Sequence, residues 1–171
     1  HFSTHRIKTL MEVFPDARFI YMHRLPEETL PSYFTLTHNI LDQLWGTAKF
    51  KFDQIKQFYE YRYKACVDLY RYFYDLWQNN EIDKSRVLVI PYDQIKEDLM
   101  GVFNRVVEFT GIEHSEVLRS AVKHQAEKQK KYQRAHEVLP LEDFGIDSRR
   151  LKKDFAFLYE KDPHPYISIV N

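Results

Sequence analysis

Apolar residues follow two different patterns along the chain, and each pattern predicts a type of element. Two short, nearly continuous apolar runs, at 18–22 and 86–90, consist of β-prone residues and predict two buried parallel strands. Between them, apolar positions at helical spacing predict a long helix over about 52–79. Strands that alternate with helices indicate the α/β class with a parallel sheet.

Helical spacing also predicts several shorter elements. Three of these helices are expected to begin at Ser3 or Thr4, at Pro26 and near His114. Two more are expected to run from Leu99 to a C-cap at Gly111 and from Asp147 or Ser148 to Lys161. Two buried strands alone would leave unpaired edges inside a covered layer. We therefore expect residues 1–171 to form a single domain that is the C-terminal portion of a larger one, whose N-terminal strands precede His1.

The long helix carries an apolar stripe that we interpret as core rather than as a cofactor-binding face. The stripe consists of Phe52, Ile55, Tyr59, Cys66, Leu69, Phe73 and Leu76. Cys66 is the single cysteine, and we expect it to be a small packing residue rather than a reactive thiol. Pro31 lies inside the helix that opens at Pro26 and should kink it.

Composition and charge narrow the possible functions. The 171 residues include 13 Phe, 12 Tyr and 2 Trp but only 4 Gly, which excludes collagen, disulfide-rich miniproteins and wholesale disorder. The 25 basic and 25 acidic residues cancel, so the chain lacks the positive excess typical of nucleic-acid or membrane-surface binding. No apolar run is long enough to span a bilayer, and no signal peptide is visible. The isolated glycines exclude a Gly-rich phosphate loop within these residues.

Candidate chemistry lies after the two predicted strands, because ligands of open α/β sheets bind beyond the carboxyl ends of the strands. Arg24 follows the first strand, and Ser32 comes eight residues later on the next predicted helix. A guanidinium group and a hydroxyl can together neutralise and orient a phosphate dianion. The alternative is that Arg24 pairs with Glu27 or Glu28 and that Ser32 is an ordinary helix-surface residue, and the spacing alone favours this alternative.

Three segments in order resemble the sulfotransferases that use 3′-phosphoadenylyl sulfate. Residues 14–26, F-P-D-A-R-F-I-Y-M-H-R-L-P, followed by Ser32, resemble the F-P-D-A-x-F-I-x-x-x-R-x-P…S segment of that family. Residues 86–111 resemble its strand, Y-E-D-L turn and E-F-x-G helix. Residues 141–147, L-E-D-F-G-I-D, resemble a stretch near the C-terminus of many bacterial-type members. The resemblance implies a helix-rich part of a P-loop-like three-layer α/β fold with a parallel sheet.

The resemblance also implies a role for individual residues. Arg24 and Ser32 match the residues that bind the 3′-phosphate of the nucleotide in the family, and Tyr92 matches the aromatic residue that lies against the adenine. A basic loop falls where relatives close over the nucleotide's phosphate, and it contains Lys128, Lys130, Lys131 and Tyr132. Within it we take Lys130 and Lys131 as candidates, with a solvated loop as the open alternative. Leu25 and Asp93 depart from the usual family residues.

These matches imply an enzyme that transfers a sulfuryl group from 3′-phosphoadenylyl sulfate to a hydroxyl or amine of a small-molecule, glycan or lipid acceptor. They imply no metal and no nucleic-acid partner. The family's 5′-phosphosulfate loop and K-x-P segment would precede His1, so we expect the isolated chain to be inactive and assign no catalytic residue.

Two alternatives to this function stay open. They are a non-catalytic helical interaction module and a kinase-like nucleotide-binding enzyme. A bacterial-type member would be cytoplasmic, whereas a member with an N-terminal anchor would be membrane-anchored and lumenal, so the compartment is not assigned from these residues. The oligomeric state is likewise left open.

Overall fold

The computed structural model describes residues 3–131 and 137–159, in which helices pack against a two-stranded parallel sheet. The strands are β1 (Phe19–His23) and β2 (Val87–Pro91). The helices are α1 (Ile7–Val13), α2 (Pro26–Trp45), α3 (Phe52–Gln78), α4 (Tyr92–Glu97), α5 (Leu99–Thr110), α6 (Glu116–Lys130) and α7 (Ser148–Asp154). Short 3₁₀ turns lie at Thr4–Arg6, Thr47–Lys49, Lys84–Arg86, Leu141–Phe144 and Ala156–Leu158. The predicted helix-rich α/β class is confirmed.

The two strands run parallel, and α2 and α3 form the crossover that connects them. Phe19 lies opposite Val87, and His23 lies opposite Pro91. Both strands therefore end at the same edge of the sheet, so the residues that follow them become neighbours in space. Each strand begins and ends one residue later than the sequence predicts.

The core lies between α3 and one face of the sheet. The ring of Tyr21 on β1 stacks on Phe73 of α3, with ring centroids 3.6 Å apart and planes 6° from parallel. Val87 and Val89 of β2 are buried in the same core cluster. Burial of aromatic side chains removes a large apolar area from water, so this contact makes a major contribution to the stability of the sheet.

The opposite face of β1 is not covered by the described residues. Ile20 is 45% exposed and Met22 is 64% exposed. The prediction that both strands are buried on both faces is therefore wrong for β1 within 3–131 and 137–159. It holds better for β2, because Val89 and Ile90 point to opposite faces and both are buried. Here α5 approaches β2, and Arg105 donates to the carbonyl of Val89.

The buried face of α3 is rotated from the stripe that the sequence suggests. Its buried residues are Tyr59, Tyr63, Tyr70, Phe73, Leu76 and Trp77. Phe52 is 79% exposed, because the first turn of α3 extends beyond the core, so its assignment to the core is wrong. Tyr63 and Tyr70 join Tyr59 on the buried face, where the hydroxyl of Tyr59 is hydrogen-bonded to His38 and that of Tyr70 to the Arg24 carbonyl.

The C-terminal segment packs on α2 and α3. Arg150 of α7 donates to Glu60 of α3 at 2.7 Å, and the Leu139 amide donates to the Thr35 hydroxyl of α2 at 2.9 Å. The predicted final helix is shorter than expected, since α7 ends at Asp154. Phe155, Phe157 and Leu158 are all buried, and an unbroken α-helix could not turn all three toward the same core. The predicted end at Lys161 lies outside the described residues.

The helices near β2 follow the sequence signals closely, with one addition. α5 ends at Gly111, which adopts the left-handed conformation with φ of 67°, as predicted for a C-cap glycine. α6 begins two residues after His114, where the Ser115 hydroxyl accepts a hydrogen bond from the Leu118 amide. The segment 92–97, expected as a turn, forms the short helix α4. α2 continues from Pro26 to Trp45 through Pro31, and the kink stays a prediction.

Cys66 lies half-buried on α3. Burial raises the pKa of its thiol to about 11, since the thiolate would lose solvation in this position. This agrees with the prediction of a packing residue rather than a reactive thiol.

We expect Phe73→Ala to lower the free energy of unfolding by about 3–5 kcal/mol, because it removes the ring that stacks on Tyr21 and leaves a cavity. Urea unfolding followed by circular dichroism measures this change. Phe52→Ala on the same helix is the matched control and should change stability by less than about 0.5 kcal/mol. Equal losses from the two variants would contradict the position of the core.

Alkylation of Cys66 by iodoacetamide should be slow at neutral pH, because only a small fraction of the thiol is ionised. We expect a rate at pH 8 that is roughly tenfold or more below that of a model cysteine peptide, rising with pH until about 11. Mass spectrometry of the labelled peptide gives the rate. A rate that levels off below pH 9 would mean that burial does not raise this pKa.

Candidate functional site

Two sequence-predicted residues meet where β1 and β2 end. Arg24 follows β1 directly, and Tyr92 is the first residue of α4 after β2. Because His23 and Pro91 are opposite each other in the sheet, the next residues of the two strands lie side by side. The Arg24 guanidinium carbon lies 4.6 Å from the centre of the Tyr92 ring, which is a cation–π contact.

Arg24 also forms an ion pair with Glu28 of α2. Its Nε donates to Glu28 Oε2 at 3.1 Å, and the Arg24 side chain is half-buried. The structure therefore contains the Arg24–Glu28 pair that the sequence left as an alternative. This pair occupies only the Nε edge of the guanidinium, which carries five N–H donors in all. The pair thus orients Arg24 over Tyr92 without using all of its donors.

Lys96 is a member of this cluster that the sequence analysis missed. Its Nζ lies 4.9 Å from the centre of the Tyr92 ring, 2.7 Å from Asp93 and 3.7 Å from Glu28. The hydrogen bond that Lys96 donates to Asp93 raises the pKa of Lys96, so the ammonium stays charged. Residues four apart on a helix share a face, so a helix prediction for 92–97 would have placed Lys96 beside Tyr92.

The backbone of Arg24 is held from α3. The Tyr70 hydroxyl donates to the Arg24 carbonyl oxygen at 2.7 Å and lies 3.1 Å from the Thr29 hydroxyl. Burial raises the pKa of Tyr70 to about 12, so its hydroxyl remains a proton donor across the physiological range. Tyr70 is 46 residues from Arg24 in the sequence, and no local pattern predicts this contact.

Ser32 lies on α2 one turn beyond Glu28, on the same side of the helix. Its side chain is half-buried, and within the described part of the chain no hydrogen bond joins it to Arg24. The structure thus brings Arg24 and Tyr92 into contact. Ser32 lies on the same face of α2 as Glu28, the residue that pairs with Arg24.

The basic segment lies at the end of α6. Lys130 is exposed and pairs with Glu127 at 3.0 Å, and Lys131 follows as the exposed cap residue. Lys130 and Lys96 line the same cavity, of about 620 Å³, between α6 and the α4–α5 junction. Lys96 therefore belongs both to this cavity and to the cluster around Tyr92, whereas Arg24 and Tyr92 do not line the cavity. Tyr132 lies outside the described residues.

Within 3–131 and 137–159 no three or more His, Cys, Asp or Glu side chains come together as potential metal ligands. None of the helices in this part of the chain combines the length and apolarity needed to cross a bilayer.

Comparisons with known proteins identify relatives of this chain. A sequence model described as the sulfotransferase family matches residues 1–116. The omega-hydroxy-beta-dihydromenaquinone-9 sulfotransferases of Mycobacterium bovis and Mycobacterium tuberculosis are each 37% identical to the chain over 99 residues. The match covers 56% of this chain and 22% of each relative, so the chain spans well under half of their length. No solved structure matches. Because the family match covers more than half of its residues, the chain belongs to the sulfotransferase family.

Proposed function

We propose that this chain supplies the nucleotide-binding part of an enzyme that transfers a sulfuryl group from 3′-phosphoadenylyl sulfate to a hydroxyl or amine acceptor. Membership of the sulfotransferase family supports sulfuryl transfer in general. The observation that supports this particular donor is the contact between Arg24 and Tyr92 where the two parallel strands end. A cation and an aromatic ring side by side suit a ligand that carries both a phosphate and a purine.

Arg24 and Ser32 bind the 3′-phosphate in this proposal. The guanidinium keeps donors beyond its contact with Glu28, and a phosphate dianion attracts it more strongly than a single carboxylate does. Ser32, one turn beyond Glu28, adds a neutral hydroxyl donor from α2. The bond from Tyr70 to the Arg24 carbonyl fixes the backbone from which this side chain extends.

Tyr92 stacks on the adenine, and the basic residues at the end of α6 lie near the phosphates. Arg24 and Lys96 both approach the ring of Tyr92, so the phosphates of a bound nucleotide would meet positive charge beside it. Lys130, which lines a cavity together with Lys96, and its neighbour Lys131 would add positive charge from the end of α6.

The reaction moves one sulfuryl group and one proton. The acceptor oxygen or nitrogen forms a bond to sulfur, while the bond between sulfur and the bridging phosphate oxygen breaks. The products are the sulfated acceptor and 3′-phosphoadenosine 5′-phosphate, and the acceptor proton passes to a base. Residues that bind the 3′-phosphate and adenine position the donor for this step, which needs accurate alignment more than covalent chemistry from the protein.

We expect Arg24→Ala to weaken the binding of 3′-phosphoadenosine 5′-phosphate by about 10- to 100-fold, because a lost charge-assisted contact costs about 1.5–3 kcal/mol. Arg24→Lys should give an intermediate loss, since it keeps the charge but not the planar fork of donors. Titration calorimetry on protein expressed from its full reading frame measures both.

The control for Arg24 is Arg149→Ala, since the Arg149 side chain is 90% exposed and pairs only locally with Asp147. This variant should bind the nucleotide as the wild type does. If Arg24→Ala binds 3′-phosphoadenosine 5′-phosphate within twofold of wild-type affinity, Arg24 does not bind the 3′-phosphate. Binding that instead requires Mg²⁺ and a nucleoside triphosphate would favour the kinase-like alternative.

The role of Tyr92 can be tested with a pair of variants at one position. Tyr92→Leu should weaken nucleotide binding by roughly 5- to 100-fold, because stacking of a base on an aromatic side chain is worth about 1–3 kcal/mol. Tyr92→Phe keeps the ring and should bind within about twofold of wild type. If both variants lose affinity equally, the hydroxyl and not the ring contacts the nucleotide.

A further inference from the structure

Large apolar side chains are exposed at the end of the molecule where α2 and α3 join. The contacts Tyr33–Arg62 and His38–Tyr59 show that these helices run antiparallel, so the end of α2 and the start of α3 lie together. We call residues 36–53 the hairpin tip. Its exposed apolar residues are Leu36, Ile40, Leu44, Trp45, Phe50 and Phe52.

The exposed residues of the hairpin tip form one surface rather than a scatter of single side chains. Leu36, Ile40 and Leu44 recur every fourth residue, which places them along one side of α2. α2 ends at Trp45, and Gly46 with a φ of 72° turns the chain toward Phe50. A contiguous exposed apolar patch on a protein marks a surface that binds a partner.

Positive charges lie between the rings of the hairpin tip. Lys49 and Lys51 are exposed on either side of Phe50 in the sequence. Within 3–131 and 137–159 neither ammonium forms an ion pair with a carboxylate. Both lysines are therefore available to an anionic partner.

The two carboxylates of the hairpin tip already have local roles. Asp42 accepts hydrogen bonds from the Thr47 amide at 2.8 Å and from the Thr47 hydroxyl at 2.6 Å. Asp53 lies in the first turn of α3, where the positive end of the helix dipole stabilises it. Although the whole chain is neutral, the charge that this tip offers to a partner is positive.

This combination of side chains suits a lipid surface better than a second copy of the chain. Tryptophan and other aromatic rings settle at the boundary between acyl chains and headgroups, and lysines beside them extend to the phosphates. A two-fold contact between two tips would instead bring Lys49 and Lys51 close to the same lysines of the other copy, and like charges repel.

We propose that the hairpin tip docks the protein on an anionic lipid bilayer. Trp45, Phe50 and Phe52 insert at the boundary between headgroups and acyl chains, and Lys49 and Lys51 contact the headgroup phosphates. The docking is peripheral and spans no bilayer. The tip contains none of the residues to which nucleotide contacts are assigned above, so this inference goes beyond the proposed function and does not depend on it.

The apolar part of the contact is tested by binding to vesicles made of equal amounts of phosphatidylcholine and phosphatidylglycerol. We expect Phe50→Ser combined with Phe52→Ser to weaken vesicle binding roughly tenfold or more, because two rings no longer leave water. The matched control, Val117→Ser combined with Leu118→Ser, removes two exposed apolar residues from α6 and should bind within about twofold of wild type. Cosedimentation measures binding of protein expressed from its full reading frame.

The charged part of the contact is tested on the same vesicles. Lys49→Glu combined with Lys51→Glu should weaken binding roughly tenfold or more, since each lysine near an anionic surface contributes to attraction and each glutamate to repulsion. The matched control is Lys152→Glu combined with Lys153→Glu, two exposed positions on α7, and it should stay within about threefold of wild type. On vesicles of phosphatidylcholine alone the two charge variants should bind equally.

Trp45 reports insertion directly and does not rely on a loss of binding. Trp45 is 56% exposed, whereas Trp77 is 4% exposed in the core. Phosphatidylcholine brominated on its acyl chains should quench the fluorescence of Trp45 in the wild type when it is mixed into the anionic vesicles. Trp45→Phe should lose this quenching and still bind, because phenylalanine keeps an apolar ring at the position.

The remaining outcomes overturn the proposal. If the Phe50 and Phe52 variant binds vesicles as its control does, or if brominated lipid quenches wild type and Trp45→Phe equally, another surface contacts the bilayer. If the wild type does not bind vesicles and sediments as a dimer that Phe50→Ser with Phe52→Ser dissociates, the tip joins two copies. A monomer that does not bind vesicles means that another part of the full protein covers the tip.

Discussion

Parallel strands can pair only when the chain returns over a long crossover, and here α2 and α3 make that connection between β1 and β2. The pairing places residues 24 and 92 at one edge of the sheet, although 67 residues separate them in the chain. The stacking of Tyr21 on Phe73 holds the sheet against α3 and thereby keeps this register. Everything that we assign to the nucleotide site depends on this arrangement.

The charges around Tyr92 are balanced within the cluster itself. Two cations, Arg24 and Lys96, approach the ring, and two carboxylates, Glu28 and Asp93, neutralise them. Partly exposed pairs of this kind contribute little to stability, but they keep the guanidinium and the ammonium oriented beside the ring.

α3 contacts the core, the segment that carries Arg24, and a cavity against α2. One of its faces carries the aromatic core, and Tyr70 on that helix reaches the backbone of Arg24. Phe58 and Cys66, which pack against this core, also line a cavity of about 470 Å³. A change in the packing of α3 would therefore alter the Arg24 site and the cavity together. This coupling explains why a helix rich in tyrosine, with both apolar rings and hydroxyl groups, occupies this position.

The sequence by itself determined both strands, most of the helices, and the positions of Arg24 and Tyr92 directly after the strands. It could do so because helix periodicity, cap residues and strand composition are local properties. The nearly continuous apolar runs predicted both strands, and Gly111 marked the end of α5. Only the tertiary structure decided which partner Arg24 takes, that Lys96 joins Tyr92, and that Phe52 lies outside the core. The contacts of Arg24 with Glu28 and of Lys96 with Tyr92 are four residues apart, so helix spacing permits them, but the packing around the strand ends decides which permitted pair forms. The contacts of Tyr92 with Arg24 and of Tyr70 with the Arg24 carbonyl join distant segments, and contacts over such separations leave no periodic signal in a single chain.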